Sequence, residues 1–345
     1  MTMRLRRLIT LPLILFPLAL NAQWTTRYPL AVGFNHQVYL EGFELPILNS
    51  GPMDPAPSPS GAEVAFSAKG WLWLLDLDSG TARRVTSSPD MDSRPEWSAS
   101  GKAIVFVRDS GSQLSIVLLD LESGTERVLV DVEAINLDPV FSADENFVYY
   151  ASAESGALEL WRVSVDSRER EQLTAAAEDL RRPVKRRPLL VGDNGSIVYL
   201  NKRDTQDSIA LLDTRSNTVS TLLEDRITAQ SDLAVSPNGE YLAFTWPFDG
   251  GWELRLLALA EPNTSVLLTR SRGLPLAPAF SHDGEWIYFA EASDDERTEL
   301  KRISVSGGAI DPIAIDRMDW GVPTGRLVIR SELDGQAAPV RLNVV

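Results

Sequence analysis

Apolar positions along this chain fall into short runs separated by polar, glycine-rich turns. Val64-Ala-Phe66, Leu72-Trp-Leu-Leu75, Ile104-Val-Phe106, Ser115-Ile-Val-Leu-Leu119 and Leu254-Arg-Leu-Leu257 are examples. They are too short for helices and rich in β-branched and aromatic residues, which predicts strands. Several are almost wholly apolar instead of alternating, so burial on both faces of the sheet is expected.

One phrase precedes these runs again and again: proline, an aromatic or apolar residue, serine, two variable residues, glycine. It stands as Pro55-Ala-Pro-Ser-Pro-Ser-Gly61, Pro95-Glu-Trp-Ser-Ala-Ser-Gly101 and Pro139-Val-Phe-Ser-Ala-Asp-Glu145. It returns as Leu233-Ala-Val-Ser-Pro-Asn-Gly239 and Pro278-Ala-Phe-Ser-His-Asp-Gly284, with worn copies at Gly195 and Gly325. The anchors at 61, 101, 145, 195, 239, 284 and 325 are 44 residues apart on average. Within each interval the order is strand, turn, strand, an Asp/Ser/Gly turn such as Asp76-Leu-Asp-Ser-Gly80, and a last strand. That order makes a four-stranded antiparallel meander, and the period is that of propeller blades, about 40–45 residues. The fold predicted is an all-β propeller of seven blades, with six and a capping hairpin as the alternative. A ring must hide its sheet edges. Residues 30–48, with Gln37-Val-Tyr-Leu40 and Phe43-Glu-Leu-Pro-Ile47, are therefore expected to complete the last blade. Residues 23–345 are read as one domain. The longest interval holds Thr174-Ala-Ala-Ala-Glu-Asp-Leu180, whose alanines and Thr174 predict a short helical turn.

The phrase Pro-x-Trp/Phe-Ser-x-Asp/Ser-Gly-x-x-Ile/Val-x-Phe/Tyr resembles the repeat of the TolB-like (PD40, WD40-like) β-propellers. The resemblance spans about residues 54–345. It implies the propeller fold and leaves the activity open, because such propellers occur in TolB, in prolyl-oligopeptidase-type peptidases and beside amidohydrolases. TolB carries an α/β domain ahead of its propeller. Few residues precede the first repeat here, so a relative distinct from TolB is expected.

Residues 1–22 read as a secretory signal: Arg4, Arg6 and Arg7, an apolar Leu8–Leu20 stretch, and a small residue, Ala22, at the cleavage point. The apolar stretch is shorter than the roughly 20 residues a spanning helix needs, and no later stretch is long enough. A periplasmic or secreted protein follows. The formal net charge of −15, more negative still without the three signal arginines, argues against nucleic acid as a partner. The absence of cysteine excludes disulfides, thiolate metal sites and a cysteine nucleophile. No metal or cofactor is predicted.

The chain holds no Gly-x-Ser-x-Gly elbow and two histidines, His36 and His282. His282 falls in the repeated turn and reads as a turn residue. Asp76-Leu-Asp-Ser-Gly80 has a counterpart in Asp120-Leu-Glu-Ser-Gly124 and reads as a turn, not a calcium loop. The tryptophans are assigned to packing between blades. Two features suggest binding. Arg181, Arg182, Lys185, Arg186 and Arg187 form a basic cluster in an acidic chain, able to grip carboxylate or phosphate. Asp54, Arg94, Asp138 and Asp232 recur seven residues before their anchors, a register expected to line one mouth of the channel or to pair blade with blade. Together these features favour a non-catalytic exported scaffold that binds another envelope or secreted protein. The alternative is an enzyme or enzyme part: a propeller hydrolase or lyase, or the propeller of a split amidohydrolase or peptidase.

Overall fold

The computed structural model describes residues 52–175, 189–192, 195–203, 206–227, 232–271, 275–292, 298–312, 327–330 and 337–340. Each of the first six repeats forms four antiparallel strands that pair in chain order. The first sheet contains β1 (Met53–Pro57), β2 (Glu63–Ala68), β3 (Trp71–Asp76) and β4 (Thr81–Arg84). The second contains β5 (Met91–Trp97), β6 (Ala103–Asp109), β7 (Leu114–Asp120) and β8 (Glu126–Val130), and the third β9 (Asn136–Phe141), β10 (Phe147–Ser152), β11 (Glu159–Ser164) and β12 (Arg170–Gln172). The fourth has β13 (Leu189–Val191), β14 (Ser196–Arg203), β15 (Gln206–Asp213) and β16 (Thr218–Ile227). The fifth has β17 (Leu233–Val235), β18 (Tyr241–Phe248), β19 (Gly251–Ala258) and β20 (Ser265–Ser271), and the sixth β21 (Pro275–Phe280), β22 (Trp286–Ala292), β23 (Thr298–Ser304) and β24 (Asp311–Pro312).

Among the described residues the blades number six, which corrects the expectation of seven. The worn seventh repeat supplies only the hairpin β25 (Leu327–Arg330) and β26 (Ala337–Val340). The first sheet already has all four of its strands, so this hairpin has no blade to complete. It adds to that sheet's outer edge instead, with β25 parallel to β4 in the register Val328↔Thr81, Ile329↔Ala82 and Arg330↔Arg83. An edge otherwise left open is thereby covered. The expected closing segment, residues 30–48, lies outside the described residues.

The apolar strands are buried on both faces where a blade lies between two others. In β6, Ile104 and Phe106 pack toward the first sheet, against Leu72 and Leu74. The alternate residues Val105 and Val107 pack toward the third, with Phe141, Val148 and Tyr150. Tyr149 turns the other way, onto Ile197, Tyr199 and Leu212 of the fourth sheet. Leu242 and Phe244 meet Val198, Leu200 and Ile209, while Ala243 meets Ile287 and Phe289 of the sixth sheet. Each such side chain contributes about 1.5–3 kcal/mol by leaving water, and a polar residue on either face would disrupt a shared layer.

The recurring serine closes each β-hairpin at the anchor. The Oγ atoms of Ser58, Ser98, Ser142, Ser236 and Ser281 accept the N–H five residues on, at 3.0, 3.2, 3.0, 2.9 and 3.0 Å. The N–H at the anchor donates back to the serine carbonyl at 2.9 Å. Its φ is +71° at Gly61 and Gly101 and +70° at Gly239, the left-handed region glycine enters without penalty. The second turn of the blade uses aspartate: Asp76 and Asp120 accept the N–H of Ser79 and Ser123 at 2.7 Å. These carboxylates serve the turn. Thr174, expected to cap a helical turn, instead accepts the Leu160 N–H at 2.9 Å, as Thr86 accepts that of Leu72. Residues 176–180 lie outside the described residues.

Backbone N–H donation from Ser79 and Ser123 holds Asp76 and Asp120 below the ordinary carboxylate value of 3.8. The Ser142 and Ser281 hydroxyls, with backbone N–H groups, do the same for Asp144 and Asp283. Burial pushes Asp92 the other way, against hydrogen bonds from Arg108. A carboxyl depressed in the folded chain contributes stability above its unfolded pKa and loses it as pH falls through the folded value. The lowered groups outnumber the raised one, so the thermal midpoint should hold down to about pH 4 and fall below it. A midpoint that stays level or rises on acidification to about pH 3 would contradict this assignment.

Candidate functional site

First strands of successive blades lie against one another: β1 on β5, β5 on β9, and β17 on β21. These strands are therefore the innermost. Four of them, β1, β5, β9 and β21, carry the same local irregularity. Asp54, Arg94, Asp138 and Ala277 have φ of +52°, +54°, +50° and +49°, and the ladder shifts register at each of them. Every one is followed by proline: Pro55, Pro95, Pro139 and Pro278. A left-handed non-glycine residue costs roughly 1–2 kcal/mol. The bulge turns its side chain out of the ladder, and a proline at the next position leaves no N–H stranded there.

The turned side chains reach the next blade. The Asp54 carboxylate accepts the Arg94 backbone N–H at 3.1 Å and the Ser67 hydroxyl at 3.3 Å. The Arg94 guanidinium donates to Asp138 on the third blade. Between the fifth and sixth blades, Asp232 accepts the Ala277 N–H at 3.0 Å. Burial works against the Arg94 charge, but Asp138 and Asp54 more than offset it and hold the guanidinium above its usual value. The Arg94 side chain keeps 36% of its surface exposed and that of Asp138 15%. This ion pair thus keeps part of its charged surface open to solvent.

The four register residues read from the sequence are thus each bonded to the first strand of a neighbouring blade or to a charge on it. Arg181, Arg182, Lys185, Arg186 and Arg187 lie outside the described residues, as does His36. His282 is exposed in its turn. Trp97 joins blades directly, its Nε1 donating to the Ala56 carbonyl at 2.9 Å. Trp71, Trp246 and Trp286 each carry an arginine over the ring, Arg84, Arg255 and Arg302, at 4.6, 4.9 and 4.1 Å from the centroid. Two contacts escaped sequence reasoning. Glu145 occupies the anchor glycine position at φ +60°, and its carboxylate reaches the Ser100 N–H and hydroxyl in the preceding blade's turn. The departure from glycine was its signal. Asn136, fully buried, donates to the Leu114 carbonyl of the second blade at 2.8 Å and accepts from Ser152. Among the described residues no group of three or more His, Asp or Glu side chains is placed to hold a metal ion.

The repeats of this chain match a known family. The family described as the TolB beta propeller domain, PD40, matches residues 32–242. The chain belongs to the PD40 family. An uncharacterized protein of Agrobacterium fabrum (strain C58) is 28% identical over 205 residues, 55% of this PD40 chain and 68% of that protein. The Tol-Pal system protein TolB of Xylella fastidiosa (strain M12) is 32% identical over 106 residues, 30% of this chain. The match spans only 24% of that TolB. The structure of an oligogalacturonate lyase in complex with manganese superposes with a TM-score of 0.61 at 15% identity, covering 82% of this chain and 86% of the lyase. At that identity the likeness concerns the fold.

The inner contacts yield a stability prediction. Asp54→Ala leaves the Arg94 N–H without its acceptor and should cost about 1–3 kcal/mol in urea denaturation. Asp54→Asn keeps an acceptor and should cost less than half as much. Equal losses for the two variants would show that the acceptor does not matter.

Proposed function

We propose that this PD40 protein is an exported, non-catalytic scaffold that holds another envelope or secreted protein at one mouth of its propeller. The observation that carries the reading is the inner ring, where Asp54, Arg94, Asp138 and Asp232 meet across blades while Arg94 stays partly open to solvent. Such a ring offers fixed charges of both signs on a rigid support, suited to selecting a partner by charge complementarity. The basic cluster Arg181, Arg182, Lys185, Arg186 and Arg187 supports the same reading by its composition, since such side chains grip carboxylate or phosphate. Residues 1–22 supply the address, with cleavage after Ala22 and a periplasmic or secreted destination. The matched stretch of TolB, a component of the Tol-Pal system, supports a role in the envelope.

A second reading is an enzyme. It is favoured by the fold likeness to an oligogalacturonate lyase, which covers more of both chains than the TolB match does.

The test uses residues 23–345 as bait for crosslinked capture from envelope extract of the source cell, beside the variant Arg182→Glu, Arg186→Glu, Arg187→Glu. The scaffold reading expects one specific partner, reduced about tenfold or more in the variant. No partner with either protein, together with chain shortening of oligogalacturonate by the wild type, would replace it with the enzyme reading.

A further inference from the structure

The outer edges of the six sheets are not equally defended against strand pairing. The edge of β4 is covered by β25. The edge strand β8 opens with Glu126 and Arg127, and β12 begins Arg170-Glu171, charges of the kind that discourage pairing. In β16 the Leu222 carbonyl is already taken by the Asn263 N–H of the next blade at 2.9 Å, and Glu224, Asp225 and Arg226 follow. The edge β24 is two residues long and ends in proline. The exception is β20. It is seven residues long, and the stretch from Pro262 through Thr269 has no charge at all. Val266 is 62% exposed and Leu267 38% exposed. Arg270, its one cation, is held by Glu253 of its own sheet at 2.6 Å. β20 is the outermost strand of its sheet among the described residues.

From this contrast we propose that the β20 edge pairs with the β20 edge of a second copy of this chain, joining two propellers through a continuous sheet. A second copy is the occupant that the charge pattern selects. Antiparallel pairing about a two-fold axis sets the stretch 262–269 against itself, and no like charges come opposite one another. The chain has one precedent for the same chemistry, since β4 accepts a strand on its outer edge. The register shift at Leu268 limits the flat part of the edge to a few residues. The contact is therefore smaller than the roughly 1,200 Å² of a stable interface, and the pair is concentration-dependent. The net charge of −15 opposes approach, so salt strengthens the pair by screening.

Sedimentation velocity on residues 23–345 tests this. The weight-average sedimentation coefficient should rise from the monomer value toward the dimer value between about 10 μM and about 500 μM. The rise should come at lower concentration in about 300 mM salt than in about 20 mM. The variant Val266→Lys, Leu267→Lys should stay monomeric over the whole range, because it places lysines opposite lysines at exposed positions. A wild type that stays monomeric throughout would overturn the proposal, as would a dimer that the double variant leaves intact or that salt weakens. Hydrogen exchange of the wild type alone adds a reading independent of any variant. The amides of Ser265–Leu268 should exchange at least threefold more slowly at the high concentration, and unchanged rates would count against the paired edge.

Discussion

A left-handed residue set one step before a proline, on the innermost strand of a blade, is the constraint from which the rest of this structure follows. It bulges the strand and turns one side chain out of its own ladder toward the next blade. Asp54 thereby reaches the Arg94 N–H and Arg94 reaches Asp138, while the bulge at Ala277 presents its N–H to Asp232. Strain of a kilocalorie or two at each position is offset by hydrogen bonds that join neighbouring sheets at their first strands. With that spacing set, the outer parts of the blades can share apolar layers. The two-sided burial of Ile104/Phe106 and Val105/Val107 is the clearest case.

The same geometry links fold to function. The residues that join the inner strands are the charged residues of the proposed binding surface, so that surface would be held rigid by the contacts between blades. Farther out, the blades end on edge strands with different defences. The hairpin β25–β26 covers the first, charge or brevity protects others, and β20 is left apolar. The two proposals thus fall on different parts of the blades: partner selection on the charged inner strands, and self-pairing on an outer edge.

Much of this was legible in the residues. The serine and glycine of each anchor point to hairpins, and their spacing points to blades; both appear as read. The wholly apolar strands announced burial on two faces. The register seven residues before each anchor picked out Asp54, Arg94, Asp138 and Asp232. Their conformation did not show, because a residue before proline is expected to be extended and only the bulge makes it left-handed. The blade number was misjudged for a physical reason as well. Leu327–Arg330 has the composition of a blade strand, but composition does not reveal that the first sheet is already complete and offers only its outer edge. Glu145 stood out only as a missing glycine, and its reach to Ser100 depends on the separation of two turns that sequence spacing does not give.

The most direct test of the inner-strand account is a double-mutant cycle between Arg94 and Asp138 by urea denaturation, using Arg94→Met, Asp138→Asn and the double variant. Because the arginine is about a third exposed, solvent screens the pair, and a coupling of about 0.5–1.5 kcal/mol is expected, shrinking in high salt. Additive single effects, with coupling within about 0.3 kcal/mol of zero, would mean that this contact between blades does not help hold the ring together.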